Sequence, residues 1–196
     1  MTYRIHLFGA SGSGTTTLGQ ALAERLAIAH FDSDNFYWHS TEKPFSSRRT
    51  RDERIQLLQE QVAGLENWVL SGSLCGWGDP ITCEFTHAIF VRLDPQIRLQ
   101  RLLAREFQRY GEQIFEGGAR YDETQTFLAW AAGYDEGGHG TRSLRRHESW
   151  IKTLSCPVIQ LDSTGCSVEE LVEQVLERLD KYGRQNAGKE GHIHSV

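Results

Sequence analysis

The run Gly9-Ala10-Ser11-Gly12-Ser13-Gly14-Thr15-Thr16 has the residue types and spacing of a loop that wraps its backbone around phosphate. Gly9, Gly12 and Gly14 let successive N–H groups point into one concavity, and a helix starting just after them adds its positive dipole end. Ser11, Ser13, Thr15 and Thr17 line the same turn, so residues 9–17 are read as the seat of ATP, with GTP as the other option. Thr16 stands at the Ser/Thr position of the motif, where its hydroxyl would reach Mg²⁺. Where a lysine usually stands, this chain has Thr15. Losing one preorganised donor to transition-state charge typically costs roughly 10²–10³ in rate. An arginine from 98–109 can offset part of that. A chance Gly/Ser turn is the competing reading, and the apolar run Tyr3, Ile5, Leu7, Phe8 before the loop argues against it.

Asp32 and Asp34 close a second apolar run. In an open parallel sheet, ligands bind at the carboxyl ends of strands, and alternate residues there can face one side. One carboxylate can serve water around Mg²⁺ and the other a substrate hydroxyl. An Asx-turn or the N-cap of a short helix is the competing role. Gly72, at the end of Trp68-Val69-Leu70-Ser71, would let a ligand approach the backbone closely. Arginines recur downstream. Arg48 and Arg49 precede a helix and can clamp an anionic group or be a solvated helix start. Arg98, Arg101, Arg105 and Arg109 share one helical face, and Arg142, Arg145 and Arg146 form a further cluster. The substrate side is therefore assigned to Asp34, Gly72 and an arginine from Arg48, Arg49, Arg142 or Arg145. Phe127, Trp130 and Tyr134, at helical spacing, are expected in the core.

The elements that must hold these residues alternate. Strands are expected near 3–8, 29–32, 67–71, 87–93 and 157–161, with helices near 15–27, 50–66, 95–110, 121–134, 141–154 and 168–182, an α/β doubly wound pattern. Glycine pairs at 117–118 and 137–138 suggest a hinged segment, a lid over about 111–140. The polar stretch from Gly183 is expected to be disordered, and His192 and His194 within it are weak metal candidates. At 196 residues the chain is one domain long. A net charge of −5 argues against nucleic acid as partner. Seventeen Arg stand against four Lys, a bias toward the side chain that forks onto phosphate oxygens, though compositional drift explains it equally well. The cysteines form no C-x-x-C pair, and no signal peptide or membrane span is visible, so cytoplasmic free thiols are expected.

On these motifs the chain resembles the nucleoside-monophosphate-kinase-like branch of P-loop kinases, which includes adenylate, cytidylate, shikimate and gluconate kinases. It is also similar to small bacterial adenylate-kinase-related or AAA-type ATP-binding proteins. The resemblance spans residues 3–180 and rests on the loop at 9–16, Asp32-x-Asp34, Asp94-Pro95 with Arg101 and Arg105, and Leu161-Asp162-Ser163-Thr164-Gly165. It implies a three-layer P-loop NTPase fold with a five-stranded parallel sheet ordered 2-3-1-4-5 and a helical lid insertion. The kinase domain would run over 1–184 and a disordered tail over 185–196. Asp32 would lie near Mg²⁺ and Asp34 on the substrate. Arg101 or Arg105 would pack on adenine or touch phosphate, and the loop holding Ser163 would border adenine through its backbone. Ser71 stands where many adenylate-kinase-like chains have Asp before Gly, so an adenylate-type acceptor site is not implied. Gly-Thr-Thr in the loop resembles some cytidylate and adenylate kinases.

The expectation is an ATP- and Mg²⁺-dependent phosphotransferase, monomeric or homodimeric, acting on a nucleotide or small hydroxylated metabolite. Asp34, Arg101, Arg105 and Arg109 would carry catalysis. The alternative is a nucleotide-binding regulatory protein with little activity, marked by Thr15. A nucleic-acid-remodelling ATPase lacks the positive charge it needs.

Overall fold

Five short apolar runs form one sheet, and alternate side chains from each run enter opposite cores. In the computed structural model, residues 2–42, 44–137 and 142–190 are described, the last six as backbone only. The strands are β1 Arg4–Gly9, β2 Ala29–Asp32, β3 Trp68–Ser71, β4 His87–Arg92 and β5 Val158–Asp162. All pair in parallel, in the order β2-β3-β1-β4-β5 that the sequence led us to expect. Ile5 and Leu7 of β1 face a layer built from α1 (Thr15–Leu26) and α7 (Val168–Glu190), where Leu18, Leu22, Val175 and Leu179 meet them. Phe8 faces the other layer, of α3 (Arg51–Val62) and α6 (Leu144–Ile151), among Leu58, Trp68, Phe90 and Trp150. A period of two splitting one strand between two cores is what a parallel sheet covered on both faces requires.

Local chemistry starts the helices where the motifs need them. Thr50 and Glu53 form a reciprocal capping box at α3. Asp94 accepts from Gln96 and Ile97 N–H at the head of α4 (Pro95–Tyr110), with Pro95 in the first turn. The first turn of α1 follows left-handed Gly14 and has no side-chain cap, which leaves its N–H groups to an external anion.

A short helix, α2 Ser33–Tyr37, follows β2 with Asp32 as its N-cap, the competing role weighed for this pair of acids. After α4 come a single 3₁₀ turn, Gly111–Ile114, and α5 Tyr121–Ala132, which together pack on α4 as the expected helical insertion. Gly118 is a packing requirement here rather than a free hinge: a Cβ would sit 2.3 Å from the Gln113 carbonyl oxygen. Gly138, the other expected hinge, lies outside the described residues. Helix α7 continues through Gly183 to Glu190, so residues 185–190 of the expected tail are helical. Gly183 and Gly188 each cost the helix only about 1 kcal/mol, and Arg184, Gln185, Ala187 and Lys189 beside them favour it. Residues 191–196, with His192 and His194, lie outside the described residues. Trp130 also departs from expectation: α5 is covered by α4 on one side only, and Trp130 is left 38% exposed. The described residues contain no helix long and apolar enough to cross a membrane.

Candidate active site

The loop at 9–16 leaves the end of β1 and is seated by its glycines. Gly12 (φ 84°) lies against α4, where a Cβ would be 3.0 Å from both the Arg98 carbonyl oxygen and Leu102 Cγ. At Gly9 a Cβ would meet the Val91 carbonyl oxygen at 2.3 Å. Ser163, in the loop expected to border the nucleotide through its backbone, turns its side chain inward. Its hydroxyl donates to the Arg92 carbonyl at 2.9 Å and reaches the Ser13 carbonyl at 3.4 Å, and only 3% of the residue is exposed. It joins the loop after β5 to the phosphate loop from behind.

Thr16 Oγ1 donates to Asp32 Oδ2 at 2.7 Å, bringing together the two groups read as metal ligands. Asp32 Oδ1 accepts the Asp34 N–H at 2.9 Å, so the same carboxylate also caps α2. Of the roles weighed for this carboxylate, the helix cap is the one observed, and its second oxygen meets the Thr16 hydroxyl. A hydroxyl and a carboxylate are the hard oxygen donors that suit Mg²⁺, which takes the rest of its shell from phosphates and water. No cluster of three or more His, Cys, Asp or Glu competes for a metal among the described residues. Gly72 does not open onto a ligand. At φ 94° a Cβ there would lie 2.0 Å from Ser33 Oγ, and the close approach it permits is that of Ser33 at the start of α2.

Asp34 is an exposed residue in the first turn of α2, with its carboxyl turned toward protein atoms. Burial of its carboxyl among protein atoms and the neighbouring Asp32 charge raise its pKa, while Arg142, Arg105 and a hydrogen bond from the Trp38 side chain pull it back. Arg142 Nη1 also donates to Ser11 Oγ at 3.4 Å, so a guanidinium bonded to the phosphate loop is one of the charges that Asp34 feels. Phe127 and Trp130 of α5 stack with ring centroids 6.0 Å apart. Arg105 lies over Phe127 and Arg142 over Trp130, each 5.9 Å from the ring centroid. Burial and the adjacent Arg109 charge lower the Arg105 pKa from its usual value. Arg101 Nη1 lies 3.8 Å from where a Cβ on Gly14 would be, beside the turn that lacks the lysine. Arg109 pairs with Glu106 at 3.3 Å and faces Phe45 at 5.7 Å.

Other arginines of the sequence reading do different work. Arg98 leaves the stripe: it is buried, ion-paired with Asp135, and donates to the Ala131 carbonyl at 3.3 Å. Arg49 closes the end of α2, donating to the carbonyls of Asn35 at 2.9 Å, Phe36 at 3.2 Å, and Trp38. Arg48 stacks on Trp38 at 5.4 Å, and Arg145 lies exposed on the outer face of α6. Trp38 lies outside the sequence reading, and Arg54 enters it only as one of the arginines over 48–54. Trp38 donates to Asp34 from four positions on, a spacing that the sequence shows once α2 is known. Arg54 of α3 covers the Tyr37 ring at 3.6 Å, with its Nε buried and unpartnered. The four cysteines are free.

Residues 5–126 match the family model described as AAA domain. The chain is 45% identical over 179 residues to the uncharacterized protein YqaC of Bacillus subtilis (strain 168), covering 91% of this chain and 98% of that one. In structure it is similar to a gluconokinase from Sinorhizobium meliloti 1021 (TM-score 0.58, 18% identity, 96% of this chain and 97% of that one). It is likewise similar to a shikimate kinase from Bacteroides thetaiotaomicron (TM-score 0.55, 20% identity, 92% and 99%).

Proposed function

The chain belongs to the AAA-domain family and has the fold of the P-loop kinases, and from that premise we propose that it transfers the γ-phosphoryl group of ATP to a hydroxyl of a small acceptor. The observation that carries this reading is the alignment of Thr16, Asp32 and Asp34, with Arg142 bonded to Ser11 of the phosphate loop.

In this reading the N–H groups of residues 9–17 hold the polyphosphate, and Arg101 supplies a cation beside Gly14 where Thr15 cannot. Thr16 and Asp32 hold Mg²⁺, which when bound neutralises charge on the phosphate oxygens. Asp34 accepts a hydrogen bond from the acceptor hydroxyl and takes its proton as the new O–P bond forms and the bond to ADP breaks. Its raised pKa makes it the better proton acceptor of the pair. Arg142 and Arg105 flank that path and favour an acceptor that itself carries negative charge. Such catalysis is positioning and electrostatics. Solved structures of this fold carry names such as shikimate kinase and gluconokinase, which supports a small hydroxylated acceptor. The free cysteines suit a reducing compartment such as the cytoplasm.

A panel of nucleosides, nucleoside monophosphates and sugar acids, read by ADP release with Mg²⁺, tests the proposal. One acceptor should raise release well above the rate with water alone, and Asp34→Asn should abolish that rise. Failure of every acceptor, together with no rise in Tm on adding ATP and Mg²⁺, would overturn it. Thr15 favours a second reading, a nucleotide-binding regulator. In that case ATP raises Tm but no acceptor stimulates release.

A further inference from the structure

Behind Arg142 lies a buried polar chain that the phosphoryl-transfer reading leaves unused. His147 Nε2 is 2.8 Å from Ser73 Oγ, just past the end of β3, and Nδ1 is 2.7 Å from the Tyr134 hydroxyl, just past α5. Ser73, Tyr134 and His147 are all buried. The Leu144 N–H donates to the Tyr134 carbonyl at 2.9 Å, so the chain that leaves α5 at Tyr134 is pinned again where α6 begins. Arg142 sits two residues before that pin. On its other side, the Tyr134 ring faces the Arg98 guanidinium at 5.1 Å, and Arg98 lies against Gly12 of the phosphate loop. The imidazole stands edge-on to Phe8 at 5.3 Å and Phe90 at 5.8 Å, so its orientation is fixed by packing as well.

We infer that His147 is a positioning residue: bonded at both ring nitrogens, it ties Tyr134 and α6 to the end of β3 and so holds Arg142 on Ser11 of the phosphate loop. The inference rests on the reading of Arg142 as part of the phosphoryl site. A neutral imidazole has one N–H donor and one acceptor nitrogen, and hydroxyls on both sides satisfy it in either tautomer. Burial keeps the ring in that form, with its pKa lowered to about 3, and the Arg142 charge acts in the same direction. A single-ended side chain cannot span both hydroxyls. The fold thus uses a buried network to aim a charge that stands just before α6.

The test compares ATP·Mg²⁺ affinity by calorimetry, with Tm alongside, in four variants: Arg142→Ala, Tyr134→Phe, His147→Phe and the double variant Tyr134→Phe/Arg142→Ala. Tyr134→Phe removes one oxygen and keeps the ring over Arg98, and His147→Phe keeps the edge-on packing. Arg142→Ala should weaken binding roughly 10–100-fold, as for loss of a charge-assisted hydrogen bond. Tyr134→Phe and His147→Phe should lose a large part of the same factor, and the double variant should bind no worse than Arg142→Ala. Such non-additivity is the mark of two residues acting through one contact. Wild-type affinity in Tyr134→Phe, or full additivity in the double variant, overturns the inference while leaving the Arg142 reading standing. Wild-type affinity in Arg142→Ala overturns that reading and the inference with it.

Discussion

Asp34 is held between opposing fields. Partial desolvation of the carboxyl and the Asp32 charge disfavour its ionised form; Arg142, Arg105 and Trp38 favour it, and the disfavouring side wins. A carboxyl whose folded pKa lies above its unfolded value near 3.9 contributes stability that is fully present below about pH 4. That contribution is lost as pH rises through the folded pKa. At pH 7 the native state therefore carries an ionised group it resists, a cost suited to a proton acceptor and useless to a structural cap. Asp34→Asn should accordingly raise Tm at pH 7, with the gain shrinking toward pH 4, while acceptor-dependent turnover disappears. Thermal melts of both proteins across that range are the check. An Asn variant that melts at or below wild type at pH 7 would show that the carboxylate is no burden to the fold.

The phosphate loop works because α4 and β4 leave it room. Gly12 combines a φ of 84° with a Cβ position 3.0 Å from Arg98 and Leu102, so Gly12→Ala faces backbone strain and collision together. It should cost about 1–3 kcal/mol and abolish the rise in Tm with ATP. Gly64 has φ 77° and nothing within 4 Å, so Gly64→Ala should cost about 1–2 kcal/mol of strain and leave the ATP response intact. Equal ATP responses in the two variants would contradict this. The elements themselves were legible because each apolar run carries its own period and its own punctuation, as at Asp94-Pro95 and Thr50-x-x-Glu53. Roles that depend on distant partners were not. Arg98 and Arg101 share one stripe, and what buries the first is Asp135, far along the chain. Trp130 shows the period of a core residue, but periodicity does not say whether a second layer covers that face. Ser163 reads as a turn residue until β5 lies beside β4 and aims its hydroxyl at the phosphate loop.

Across the whole molecule, the layer beneath the sheet that carries α3 and α6 also holds two uncharged histidines. His6 is sandwiched between Phe8 at 5.3 Å and Phe85 at 4.9 Å, and His147 stands edge-on to Phe8. Burial lowers both pKa values to about 3, and His30 and His87 are lowered in the same direction. In the unfolded chain a histidine titrates near 6.5. Between these values the unfolded state binds protons that the native state refuses, so stability falls as pH drops below 6.5 and returns as pH rises. Each of the two fully buried rings contributes up to roughly 1.4 kcal/mol per pH unit in that window. The window opens above the range where carboxylates such as Asp162, with its lowered pKa, add their own acid sensitivity. Urea unfolding measured from pH 7 to pH 5 should therefore show a steep loss of stability. His6→Phe, which preserves the aromatic stack, should flatten that slope by roughly the share of one ring, whatever it does to the absolute stability. An unchanged slope in His6→Phe would mean that this ring is already protonated, or reachable by water, in the native protein.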